Sequence, residues 1–142
     1  MGIYGKYENG DEWLEAFGKA IRKHRIEKNL AERFVATELR MGRDTIRAIE
    51  LGRDSMRLDL FLKLASYVGY DLCCDMNDIG RRIAAYRVYR GKTQQQLADE
   101  SFLSKRPIQQ IEAHGKSMYM NTFLCICEAL DVAPMKLLKK DW

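Results

Sequence analysis

The chain has little proline, little histidine and no long apolar run. Two prolines occur in 142 residues, Pro107 and Pro134, and no stretch alternates β-branched with polar side chains. Both features speak against a sheet protein and for helices. Nothing approaches the roughly 20 consecutive apolar residues of a membrane-crossing helix, and no leader-peptide pattern opens the chain, so a cytoplasmic protein without a membrane partner is expected. The two histidines, His24 and His114, lie far from any serine or cysteine arranged as a nucleophile. No glycine-rich phosphate loop occurs either, so no catalytic residue is assigned and no enzyme is expected. Four cysteines form a vicinal pair, Cys73 and Cys74, and a C-x-C, Cys125 and Cys127. Neither has zinc-finger spacing, and no metal or cofactor is expected. Cys125 and Cys127 should pack as small apolar side chains of a helix, reduced like other cytosolic thiols. The net charge of +4, from 24 basic and 20 acidic side chains, is too small to mark a nucleic-acid binder by itself.

What is present is concentrated between Thr93 and Gly115. Thr93 is suited to cap a helix, and Gln96 three residues on completes a capping box. A short helix over 94–101 follows, with Leu97 and Ala98 inward. Ser104 then stands at the N-cap of a second helix, where Pro107 is tolerated because it falls in the first turn. Ile108 and Ile111 share one face of that helix, and Lys105, Arg106, Gln109 and Gln110 share the other. A short helix, a tight turn and a second helix bearing forked polar donors form the plan of a helix-turn-helix. Arginine matches the O6 and N7 of guanine, and glutamine the N6 and N7 of adenine. A solvated polar face would look similar in a single helix.

The stretch has a counterpart. Shifted by 62 residues, Gly18 falls on Gly80, Ile21 on Ile83, Arg25 on Arg87, Ala36 on Ala98, Ile46 on Ile108, Glu50 on Glu112 and Phe61 on Phe123. One residue of slip occurs in the loop where Gly52 faces Gly115. The chain is therefore read as one helical module used twice: a lead-in over 1–10, a first domain over 11–72, a linker over 73–77 and a second domain over 78–142. Residues 1–75 hold 13 basic and 13 acidic side chains, whereas residues 76–142 hold 11 and 7, so the excess charge lies in the second copy. In the first copy, Asp11 is expected to cap a helix running to about Lys28, followed by helices over 32–39 and 43–51. Asn77 or Asp78 should cap the first helix of the second copy, and Asn121 or Thr122 a later one. A last turn is expected over 134–138. The segment 70–77 reads as extended, a short strand that would pair with another copy.

These residues resemble the Xre/Cro/phage-repressor family of helix-turn-helix domains. The resemblance rests on Ile79-Gly80, Ile83, Arg87, Thr93 through Ala98, Ser104, Ile108, Ile111-Glu112, Gly115-Lys116, Leu124 and Leu130-Asp131-Val132. It covers about 14–72 and 78–138. It implies an all-α fold of two tandem five-helix domains. It further implies that Lys105, Arg106, Gln109 and Gln110 contact bases, with Arg43 and Arg47 in the equivalent helix of the first copy. Gln94, Lys116, Ser117 and Arg53 would contact phosphates. Arg87 with Glu112, and Arg25 with Glu50, would be structural ion pairs fixing each recognition helix to the first helix of its copy. The turn glycine usual in the family is Phe102 in one copy and Arg40 in the other. Ala31 and Glu32 replace the capping residue and the phosphate-contacting glutamine in the first copy, where a carboxylate repels phosphate.

The expectation is thus a sequence-specific regulator of transcription, a repressor of bacterial or phage type, that binds double-stranded DNA mainly through the second copy and is associated with the nucleoid when bound. The alternative is a protein-interaction module, antitoxin- or antirepressor-like, in which the first copy meets a homodimer mate or a regulatory protein instead of DNA.

Overall fold

The structure is a computed structural model and describes residues 10–142. The expected lead-in falls outside that description except for Gly10. The fold is all-α. Nine helices follow one another among the described residues: α1 Gly10–Glu27, α2 Glu32–Leu39, α3 Arg43–Glu50, α4 Leu58–Tyr67, α5 Met76–Tyr89, α6 Gln94–Glu100, α7 Lys105–His114, α8 Met120–Leu130 and α9 Pro134–Leu138. None of these is long and apolar enough to cross a membrane.

Each helix forms where its apolar residues recur every three or four positions. In α1, Trp13, Leu14, Phe17 and Ile21 are buried; Trp13 meets Phe17 edge-on at 5.5 Å between ring centres and leans on Phe61 at 6.2 Å. In α7 the buried pair is Ile108 and Ile111, and in α8 Phe123, Ile126, Cys127 and Leu130 are buried. Cys127 is fully enclosed, which pushes its thiol well above the usual range; all four cysteines are free thiols.

The 62-residue repeat is carried into the backbone. Helix starts at 32, 43 and 58 recur at 94, 105 and 120. Left-handed residues recur in the same register: Asn29 with Gly91, Arg40 with Phe102, Gly69 with Asp131. Gly18 and Gly80 are both buried where their helices cross the ends of α3 and α7 respectively. A Cβ on Gly18 would stand 2.6 Å from the Ile49 carbonyl oxygen, and one on Gly80 would collide with that of Ile111.

Several expectations are corrected. Helix α5 is capped by Asp75, whose carboxylate accepts the Asn77 N–H at 2.9 Å, rather than by Asn77 or Asp78. Helix α8 begins at Met120, with Tyr119 at the N-cap position and no capping side chain. Its first N–H groups are taken by the other copy: Met120 donates to the Met56 carbonyl at 2.7 Å and Asn121 to that of Asp54 at 2.9 Å. Ser104 occupies the N-cap position of α7 without a side-chain hydrogen bond.

The segment between α4 and α5 is extended, but it pairs within its own chain. Cys73 donates to the Leu138 carbonyl at 2.8 Å, and Leu72 bridges Lys139. Residues 72–75, in the stretch that corresponds to α9, run extended into α5, so the first copy has four described helices where five were expected. A physical reason is at hand. The buried Arg82 guanidinium donates to the carbonyls of Leu137 (3.0 Å), Lys139 (2.5 Å) and Lys140 (3.2 Å), closing the end of α9. The equivalent residue in the first copy is Ala20, which has nothing to donate.

Candidate nucleic-acid interface

The α6–α7 unit starts with a closed capping box. The Gln96 N–H reaches Thr93 Oγ1 at 3.0 Å, and the Thr93 N–H reaches Gln96 Oε1 at 2.8 Å. The turn that follows is left-handed at Phe102, φ +60°, as its counterpart is at Arg40, φ +53°. The backbone therefore takes the shape that glycine ordinarily provides, at a strain of roughly 1–2 kcal/mol for an L-residue. The Phe102 ring is 88% exposed at the tip.

Helix α7 is held from behind. Ile108 and Ile111 enter the core. Glu112 accepts Arg87 Nε at 2.7 Å and Nη2 at 3.0 Å, and Arg87 Nη1 donates to the Lys92 carbonyl at 2.8 Å. The hydrogen bond to Glu112 raises the already high pKa of Arg87 against the opposing effect of burial, so this guanidinium stays charged at any ordinary pH. Its front is open. Lys105, Arg106 and Gln109 are exposed and bond to no described residue. Gln110 is half-buried, and its Oε1 accepts from Lys116 Nζ at 2.9 Å.

The residues expected at phosphates are placed less uniformly. Gln94 lies beside the ion pair and donates from Nε2 to Glu112 Oε1 at 3.0 Å; its carbonyl oxygen and second N–H remain. Lys116 lies next to Gln110 at the same edge. Arg53 is exposed and pairs with no described residue. Ser117 is turned elsewhere: its hydroxyl donates to Asp59 of the first copy at 2.9 Å, a carboxylate also held by Arg57.

The first copy repeats the mount but not the face. Arg25 donates to Glu50 at 2.7 and 3.0 Å and to the Leu30 carbonyl at 2.8 Å. Glu32, however, stands where Gln94 stands in the second copy, and accepts from Arg47 Nε at 3.1 Å with Arg43 Nη2 at 3.5 Å. Both arginines expected at bases are thus drawn to one carboxylate. Desolvation pushes the Glu32 carboxyl upward, but the hydrogen bond and charge of Arg47, with Arg25 and Arg43 adding, hold it below the usual carboxylate range. A cleft of about 560 Å³ opens beside it, lined by Glu15, Lys19, Arg22, Glu32, Arg47, Glu50 and Leu51.

Sequence reasoning missed three of these contacts: the Gln94 bond to Glu112, the Glu32 cluster with Arg43 and Arg47, and the Ser117 bond to Asp59. The Gln-to-Glu exchange between copies was a visible signal for the second. The third depends on how the copies dock, which has no sequence signature. Among the described residues, no group of His, Cys, Asp and Glu is placed to hold a metal ion. No family model, curated protein or solved structure matches this chain.

Proposed function

We propose that the chain is a sequence-specific, double-stranded DNA-binding regulator of transcription, built from two tandem helix-turn-helix domains of the Xre/Cro/phage-repressor type. On this reading α7 enters the major groove, with Arg106 and Lys105 aimed at guanine and Gln109 and Gln110 at adenine. The observation that carries it is the contrast across α7. Its rear is fixed by two isoleucines and a forked ion pair, while its front presents donors that no described residue satisfies. Rigid mounting and unspent donors are what base readout requires. Lys116 and Arg53 supply phosphate contacts, and Gln94 adds one from its remaining N–H. The setting is the cytoplasm of a bacterium or of a phage-infected cell, on the nucleoid when bound.

The test is selection of bound duplexes from a random pool, followed by titration of the winner against salt. An enriched motif with an affinity that falls steeply, by about 0.9 log units per log unit of salt for each phosphate neutralised, supports the reading. An unenriched pool would sink it.

One observation favours a second role for the first copy, that of a protein-binding surface. Arg43 and Arg47 are engaged by Glu32, and the adjoining cleft carries Glu15, Glu32 and Glu50 beside Lys19, Arg22 and Arg47. Mixed charge of this kind suits a protein partner better than a polyanion. The selection separates the two roles, since a first copy that binds protein in place of DNA adds no half-site to the enriched motif.

A further inference from the structure

At 56–58 and 118–120 the two copies meet through the same residues of each. Leu58 donates its N–H to the Met118 carbonyl at 2.8 Å, and Met120 donates its own to the Met56 carbonyl at 2.7 Å. Under the 62-residue shift Leu58 corresponds to Met120 and Met56 to Met118. Exchanging the copies therefore turns each bond into the other. The antiparallel bridge between them joins Arg57 to Tyr119, which are again equivalents. A contact in which residue i meets j while j meets i is isologous and demands a two-fold axis. That axis passes between Arg57 and Tyr119.

The axis governs more than the loops, because each copy carries its recognition helix on the same rigid mount. The Arg25–Glu50 and Arg87–Glu112 forks have the same pair of lengths, 2.7 and 3.0 Å. Gly18 and Gly80 press against equivalent carbonyls, and the turns bend at equivalent left-handed residues. Helices α3 and α7 are thus related by the axis that relates the loops. Outside this central pairing the contacts depart from the symmetry: Asn121 donates to the Asp54 carbonyl, Ser117 bonds Asp59, Leu72 and Cys73 pair with the end of α9, and Glu32 replaces Gln94.

From this geometry we infer that a single chain reads one pair of inverted half-sites of unlike sequence, with α7 on one and α3 on the other. The inference rests on the DNA-binding reading above. A two-fold rotation reverses the sense in which the second helix meets the duplex, so the half-sites point in opposite directions. Half-sites repeated in the same sense would need a translation between the copies, which the pairing of 56–58 with 118–120 forbids. The half-site under α3 is the less strictly specified, because Glu32 holds Arg43 and Arg47. The paired edge is already occupied within the chain, so no second copy is needed to complete the reader.

The intact chain is tested on random duplexes long enough for two half-sites about 10 bp apart, and the complexes are weighed by native mass spectrometry. The expected result is a motif with inverted, unequal halves and one chain per duplex. Half-sites in the same sense, a single half-site, or two chains per duplex overturn the inference while leaving DNA binding intact. No enrichment at all overturns the DNA reading and this inference with it. A cross-link tests the axis separately. Residues 57 and 119 form a non-hydrogen-bonded antiparallel pair, whose Cα atoms sit about 4.5 Å apart, within disulfide reach. Arg57→Cys combined with Tyr119→Cys should oxidise to a bond within one chain, located by peptide mass, with the orientation of the selected motif unchanged. A bond formed between two chains, no bond, or a motif that changes orientation overturns the axis.

Discussion

At the scale of single residues, Arg106 and Lys116 differ in what they are free to do. Arg106 is exposed with no described partner, on the helix that the core pins in place. Arg106→Ala should cost about 1–3 kcal/mol of duplex binding and relax preference at one base position. Lys116→Ala should weaken all sequences evenly and lower the salt slope by about 1. Binding isotherms on the selected duplex and its single-base variants compare the two; an unchanged base preference in Arg106→Ala would remove α7 from the reading face. Glu32 offers the converse case. Its replacement by Gln removes a carboxylate that repels phosphate and releases Arg43 and Arg47. Glu32→Gln should therefore tighten duplex binding and steepen its salt dependence, while stability changes by no more than about 0.5 kcal/mol because exposed ion pairs contribute little. The pH sense follows from the lowered pKa of Glu32. The attraction to Arg47 and Arg43 is intact above the ordinary carboxylate range and is lost as pH falls through the depressed value. Acid should thus mimic the Gln variant, and anisotropy titrations at descending pH would detect it; equal slopes for the two proteins at neutral pH would argue that the carboxylate masks nothing.

At the scale of elements, the crossing of α5 over the end of α7 sets the attitude of α7. Gly80 is what allows it. In an exposed helix interior, Gly→Ala gains about 1 kcal/mol. Here the added methyl collides with the Ile111 carbonyl oxygen, and backbone cannot yield as a flexible side chain does. Gly80→Ala should instead destabilise by about 1–3 kcal/mol, the usual cost of overpacking. A urea midpoint that falls is the expected result; one that rises would mean the two helices are not in contact. This crossing was legible beforehand, because a glycine recurring at 18 and 80 inside amphipathic helices has few other uses. So was the capping box at Thr93, signalled by residue type at a fixed spacing, while the Arg–Glu forks were implied by the resemblance to the repressor-type family. The start of α8 was not. Its first N–H groups are satisfied by carbonyls of Asp54 and Met56, and backbone atoms of a distant loop leave no mark in residue identity. The missing fifth helix of the first copy was obscured for a related reason: it hinges on whether a buried arginine or Ala20 stands one helix away.

At the scale of the whole molecule, the repeat predicts two units, but the contacts predict one folding transition. Two small helical units of this length would each be marginal alone. The buried side chains of both copies form one continuous core. Two sets of backbone bonds then cross between them, at 54–58 with 118–121 and at 72–73 with 138–139. Opening one copy strips partners from the first turn of α8 and from the end of α9, so the loss is shared. Equilibrium unfolding in urea should accordingly be two-state. The tryptophans allow a local check. Trp13 is fully buried in the first copy, while Trp142 is 58% exposed at the end of the second. In a Trp142→Phe variant, fluorescence reports the surroundings of Trp13 and far-ultraviolet dichroism reports all the helices. The two midpoints should coincide, and they should move together when Gly80→Ala is added at the far side of the molecule. A Trp13 transition that stays in place while the dichroism splits would mean that the bonds around the two-fold axis bring the copies together without coupling their stability.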